Sequence, residues 1–205
     1  MTPAGAFGFN AARDPAGSAA LNAPLFRGLM ERMQDDRRRV VLDLGPARPE
    51  TVALLGRYRC RLDIADLADG LDALNSATEP ESMRTAVGAS LPRRRAEPTD
   101  VVLCWDLLNY LERPAIRGLM AEILARLAPG ALVHALIAYS TPRMPVRPAR
   151  IVPAEDHRRW VVPSGTEERA APRYSPDDLA RCMPGYIVER AMLLKNGMQE
   201  FLFRH

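Results

Sequence analysis

The run Val40-Val41-Leu42-Asp43-Leu44-Gly45-Pro46-Ala47-Arg48-Pro49 decides the fold. Its first half is a short apolar stretch closed by Gly-Pro, the pattern of a buried strand entering a turn. Pro49 and Glu50 suit the first turn of a helix that reaches Gly56. A fully apolar strand followed at once by a helix opens a parallel sheet covered on both faces.

The alternation continues downstream. Residues 60–64 read as a second strand, and Leu67, Leu71 and Leu74 recur at helical spacing. A third strand is expected near 83–87 and a fourth over 100–105. Pro114 opens a helix with Ile116, Leu119, Met120, Ile123, Leu124 and Leu127 on one face. Pro129-Gly130 ends it before a fifth strand over 131–137. Residues 141–172 carry six prolines and many arginines and break the pattern, as a lid or binding loop does. Ser175 and Pro176 start another helix. Two apolar runs, 186–194 and 198–204, flank Lys195-Asn196-Gly197, a hairpin signal. Upstream, Leu21, Leu25, Leu29, Met30 and Met33 predict a helix over 18–36 capped by Ser18, preceded by a mobile arm, 1–17. The expectation is one α/β domain, 18–205, with a mainly parallel sheet, helices on both faces and a C-terminal antiparallel hairpin.

Composition agrees. A chain of 205 residues predicts one domain, and 47% apolar with 26% charged residues excludes global disorder. No apolar run reaches membrane-spanning length and no secretory signal is visible, so the cytoplasm is the expected location. The net charge is +3, but Lys195 is the only lysine among 28 basic residues. That bias resembles arginine-rich bacterial coding more than selection for phosphate contacts. The triplets Arg37–39 and Arg93–95 read as solvated surface, and nucleic acid is not the expected partner. Cys60, Cys104 and Cys182 are far apart, with no Cys/His cluster, so neither a disulfide framework nor a metal site is expected.

Ligands of open α/β sheets bind beyond the carboxyl ends of the strands. Asp43, Asp63 and Asp106 fall there. Asp43 precedes Gly45, and Asp63 follows 20 residues later. That spacing suits a nucleotide-like ligand, with the first turn approaching it by its backbone and the second carboxylate accepting ribose hydroxyls.

These residues resemble the class I S-adenosylmethionine-dependent methyltransferases, of the type 11/12 kind. The resemblance is carried by residues 40–45, by Leu62-Asp63-Ile64, by 99–111 and by Leu127-Ala128-Pro129-Gly130, and it spans roughly 39–205. It implies a Rossmann-like sheet of seven strands, S-adenosyl-L-methionine as cofactor and a small-molecule acceptor. By the same resemblance Asp43 anchors the first turn, with Gly45, Pro46 and Ala47 along the methionine end. Asp63 takes the ribose, Ala89 or Ser90 lies near the adenine, and Cys104, Trp105 and Asp106 form the floor.

The chain departs from that pattern. The glycine loop keeps only Gly45, Ala47 adds a methyl group, and Pro49 removes an N–H. No acidic residue follows the expected third strand. Each site residue also has a plainer role. Asp43 and Asp106 could serve their own turns, Asp66 could replace Asp63 or cap a helix, and Trp105 and Tyr110 could be core. His134 reads as a core histidine. His157 beside Asp156 is a general-base candidate, with Asp106 and Tyr110 as further catalytic candidates. In-line methyl transfer relies on alignment more than on a dyad, so no catalytic residue is assigned. The rival is a methyltransferase-like scaffold that transfers nothing. A nicotinamide oxidoreductase is weaker, because G-x-G-x-x-G is absent.

Overall fold

The computed structural model describes residues 19–153, 159–162 and 165–205. In chain order its elements are β1 (Ala19–Leu21), α1 (Pro24–Arg32), β2 (Arg39–Asp43), α2 (Pro49–Leu55), β3 (Cys60–Ile64), α3 (Leu71–Ser76), α4 (Pro80–Ser90), β4 (Thr99–Trp105), α5 (Arg113–Leu124) and β5 (Leu127–Ala138). Four short strands follow, β6 (Arg143–Pro145), β7 (Arg150–Pro153), β8 (Arg159–Val162) and β9 (Glu168–Ala170). The chain closes with α6 (Pro176–Cys182), β10 (Ile187–Leu193) and β11 (Met198–Arg204). Single 3-10 turns, Leu67–Gly70 and Leu107–Tyr110, follow β3 and β4.

The main sheet has six strands in the order β10-β11-β5-β4-β2-β3. Strands β2 to β5 run parallel, and β11 and β10 add antiparallel, as the C-terminal hairpin signal predicts. Strand alternation sorts the core. Leu42, Val102, Cys104, Val133, Phe201 and Phe203 pack under α3 to α6. Val41, Val101, Leu103, Trp105, Leu136 and Leu202 pack under α1 and α2.

Several expectations are corrected. The segment expected to hold a third strand is the helix α4, so the sheet has six strands rather than seven and ends at β3. Pro80 starts this helix, Glu79 and Ser82 close a reciprocal cap, and Val87 is its buried anchor. The N-terminal helix is shorter than 18–36. Pro24 sets its first turn, and Ala19–Leu21 instead pairs with β8. The predicted cap Ser18 and the arm 1–17 lie outside the described residues. Pro129-Gly130 falls within β5 rather than at the end of a helix, since α5 stops at Leu124. Described residues of the segment 141–172 form short strands. They form β6–β9 and β1-β8-β7 pairings beside the main sheet.

Candidate functional site

Asp43 ends β2 and is buried, 1% exposed. Its Oδ1 accepts from the Gly45 N–H at 2.9 Å and from Trp105 Nε1 at 2.6 Å. The carboxylate therefore ties the turn after β2 to the last residue of β4. Burial pushes its pKa from 3.8 up to about 6 against the pull of those two hydrogen bonds, and the charge of Asp66 pushes the same way. The Trp105 backbone is left-handed, with φ of 51°. Its indole stacks on Phe26 of α1, with ring centroids 5.5 Å apart, and lies against Gly45. A Cβ at Gly45 would stand 2.8 Å from Trp105 Cδ1, so only glycine permits this approach.

Gly45, Pro46, Arg48, Thr51, Trp105, Asp106 and Leu107 line a cavity of about 30 Å³ together with Pro148, Ala149 and Ile151. That volume holds a water or two. Asp106 is buried, and burial raises its pKa from 3.8 to about 6. Its Oδ2 accepts from the Ala149 N–H at 3.0 Å. The Tyr110 hydroxyl donates to the Arg147 carbonyl at 2.8 Å, and Arg150 pairs with Glu50. These three contacts strap residues 147–150 over the carboxyl edge of the sheet.

Most of the other expected site residues lie elsewhere. Asp63 pairs in register with Leu42, one place before the Asp43–Ile64 pair, so it projects from the opposite face to Asp43. There it meets Arg61 at 3.0 Å and Arg95 at 3.9 Å, beside Arg93, Arg94 and Arg126. Asp66 stands nearer to Asp43. Ala65 N–H bonds to Asp43 O and Leu67 N–H to Leu44 O, which holds the exposed Asp66 between them with φ of 49°. Asp66 makes no side-chain cap. Ser90 follows no strand. It ends α4, and its hydroxyl bonds to the Ala86 carbonyl of the same helix. Ala89 is exposed on that helix. Cys104 is wholly buried under α3 to α6, and burial pushes its thiol far up. Pro46 lines the cavity and Ala47 is exposed on the turn. The Tyr110 hydroxyl is engaged by the strap. His157 lies outside the described residues.

The plainer reading of His134 holds, with a partner that sequence reasoning missed. His134 Nε2 lies 2.8 Å from Glu200 Oε1, and both side chains are buried. Glu200 also accepts from the Leu25 and Phe26 N–H groups at 2.9 and 2.7 Å, capping α1 from the last strand. The only signal was a carboxylate in the apolar run Phe201-Leu202-Phe203.

The architecture defines a class of fold, that of the class I methyltransferases. No known family model matches the sequence, and no curated protein does. Solved structures do match. An S-adenosylmethionine-dependent methyltransferase of Clostridium acetobutylicum aligns over 88% of each chain at 12% identity, TM-score 0.53. The 1,6-didemethyltoxoflavin N1-methyltransferase of Burkholderia thailandensis, solved with 1,6-didemethyltoxoflavin and S-adenosylhomocysteine, aligns over 88% of this chain and 76% of its own at 17% identity, TM-score 0.50. The glycopeptide N-methyltransferase MtfA, solved with S-adenosylhomocysteine, aligns over 87% of each chain at 17% identity, TM-score 0.50. Among the described residues no helix is long and apolar enough to cross a membrane.

Proposed function

We propose that this chain is an S-adenosylmethionine-dependent methyltransferase acting on a small-molecule acceptor. The observation that carries the reading is Asp43, a buried carboxylate at the carboxyl edge whose oxygen organises both the Gly45 turn and Trp105. Asp66 acts electrostatically on Asp43, and Asp106 shares the cavity with Gly45 and Trp105. This donor set fits a ligand with an ammonium, a sulfonium and ribose hydroxyls. A cation beside Asp43 would favour its charged form, which burial alone disfavours.

When bound, the cofactor supplies a methyl group already activated on sulfur. The chain's part is to hold and align. Asp43 and Gly45 fix the first turn, Trp105 forms one wall, and Asp66 is the free carboxylate for hydroxyl donors, in place of Asp63. Asp106 is the catalytic candidate that lines the cavity, and its pKa near 6 suits taking a proton from an acceptor at neutral pH. The strap over residues 147–150 shields this edge from water.

Calorimetric titration with S-adenosylhomocysteine tests the reading. Wild type should bind, Asp66→Ala should weaken binding about 10-fold by removing charge-assisted hydrogen bonds, and Asp63→Ala should leave it unchanged. Loss in Asp63→Ala alone would refute the assignment. One observation favours a non-catalytic scaffold instead: the Trp105 indole fills the space beside Gly45. A folded wild type that binds neither S-adenosylmethionine nor S-adenosylhomocysteine would establish that reading.

A further inference from the structure

We propose that the amino end of the main sheet is a docking face for the phosphate backbone of a nucleic acid, read by charge and not by base sequence. Each arginine triplet taken alone reads as solvated surface; the topology brings both to one edge. Strands β5, β4, β2 and β3 lie side by side and parallel, so the segments that enter them share one end of the sheet. Arg126 precedes β5 and Arg93–95 precede β4. Arg37 and Arg38 precede β2, which opens at Arg39, and Arg57, Arg59 and Arg61 surround the start of β3. The segments are tied together there. Arg39 N–H donates to the Arg59 carbonyl at 3.0 Å, Thr99 N–H to the Arg126 carbonyl at 2.8 Å, and the Arg126 guanidinium to the Pro92 carbonyl at 2.6 Å.

These ten arginines meet five carboxylates, Asp35, Asp36, Asp63, Glu97 and Asp100. The edge is therefore +5 where the whole chain is +3, and the rest of the sequence is net negative. Four of the carboxylates are already engaged. Glu97 pairs with Arg38 and Arg61, Asp63 with Arg61 and Arg95, and Asp35 with Arg39. Asp100 accepts from the Val40 N–H at 2.7 Å. Arg37, Arg93 and Arg94 are exposed and, among the described residues, make no ion pair or side-chain hydrogen bond. Guanidinium forks match the oxygens of phosphate groups. Four strands about 4.8 Å apart make a row of about 14 Å, the length of about four phosphates at ~3.4 Å per nucleotide of one strand. A membrane surface or a protein partner would need an apolar anchor as well. The large apolar side chains exposed among the described residues, Ile187 and Leu193 foremost, lie outside these segments. Tyr58, the one aromatic residue on them, is half-buried against the core under α1 and α2, so bases find no stacking platform. The face is independent of the cofactor reading, which concerns the opposite, carboxyl edge.

Fluorescence anisotropy of a labelled oligouridylate of about 20 nucleotides, from about 50 to 200 mM salt, tests the proposal on the full chain. Arg37→Gln/Arg93→Gln/Arg94→Gln removes three exposed cations that hold no contact of the fold. Arg27→Gln/Arg190→Gln/Lys195→Gln removes the same charge outside the edge. Wild type should bind, with affinity falling steeply as salt rises. The edge variant should lose about 10- to 100-fold at about 100 mM salt, with a logarithmic salt slope shallower by about 2, and the control variant should stay close to wild type. Matching far-ultraviolet circular dichroism spectra check that all three are folded. No binding by wild type at the lowest salt, an edge variant equal to wild type, or an equal loss in both variants would overturn the proposal. So would arginine-dependent co-sedimentation with phosphatidylserine vesicles without binding to the oligonucleotide, which would assign the face to a membrane surface.

Discussion

Asp43→Asn should make the protein more stable, and only where the carboxylate is charged. The native carboxyl, pushed up to about 6 by burial, holds its proton after the unfolded chain, near 3.8, has released it. Below about pH 4 both states are protonated and burial carries no penalty. Between about 4 and 6 the native state binds more protons than the unfolded one, so stability falls as pH rises. Above about 6 the full penalty applies, about 3 kcal/mol for a displacement of this size. Asparagine keeps the Oδ1 that accepts from Gly45 and Trp105 and carries no charge to desolvate. Asp43→Asn should therefore exceed wild type by up to about 3 kcal/mol at pH 7.5, with the difference closing by about pH 4. Asp106 titrates in the same range but does so in both proteins and cancels from the difference. Urea unfolding followed by far-ultraviolet circular dichroism from pH 4 to 8 measures this directly. A difference that does not change with pH, or a variant less stable throughout, would refute the argument. The same substitution should weaken binding of a cationic cofactor, so stability and function pull in opposite directions at this residue.

Glu200→Ala leaves His134 and two helix N–H groups buried without their acceptor and should cost about 3–5 kcal/mol, read from the urea midpoint; a loss below about 1 kcal/mol would sink the capping role. Gly45→Ala should drive its methyl into the indole and cost about 1–3 kcal/mol, with a shift in tryptophan emission as Trp105 moves; unchanged emission and stability would show that the approach is not tight.

The strands around Asp43 were legible because burial on both faces demands apolar runs, and residues 40–44 and 100–105 show them plainly. The antiparallel hairpin was legible from Asn196-Gly197, where Gly197 takes a φ of +82°. Helix α4 was not legible because its buried anchor is a single valine, which leaves its apolar periodicity weak. The error at Asp63 has a different origin. Spacing along the chain places it near the end of β3, but which face it takes depends on its register against β2, and that is decided by non-local pairing. A displacement of one residue separates the arginine-lined face from the face that carries Asp43. The strap contacts of Asp106 and Tyr110 reach residues about 40 positions away, beyond any local signal.

The capping of α1 by Glu200 sets an order of assembly. A ribosome delivers Leu25 and Phe26 long before it delivers their acceptor, 175 and 174 residues later. Until the last strand emerges, the apolar face of Leu25, Phe26, Leu29 and Met30 can pack on β2, β4 and β5 but the N–H groups of Leu25 and Phe26 lack their carboxylate acceptor. A chain truncated before residue 200 would therefore carry the residues of the candidate site without the carboxylate that fixes the start of α1, and with it Phe26 against Trp105.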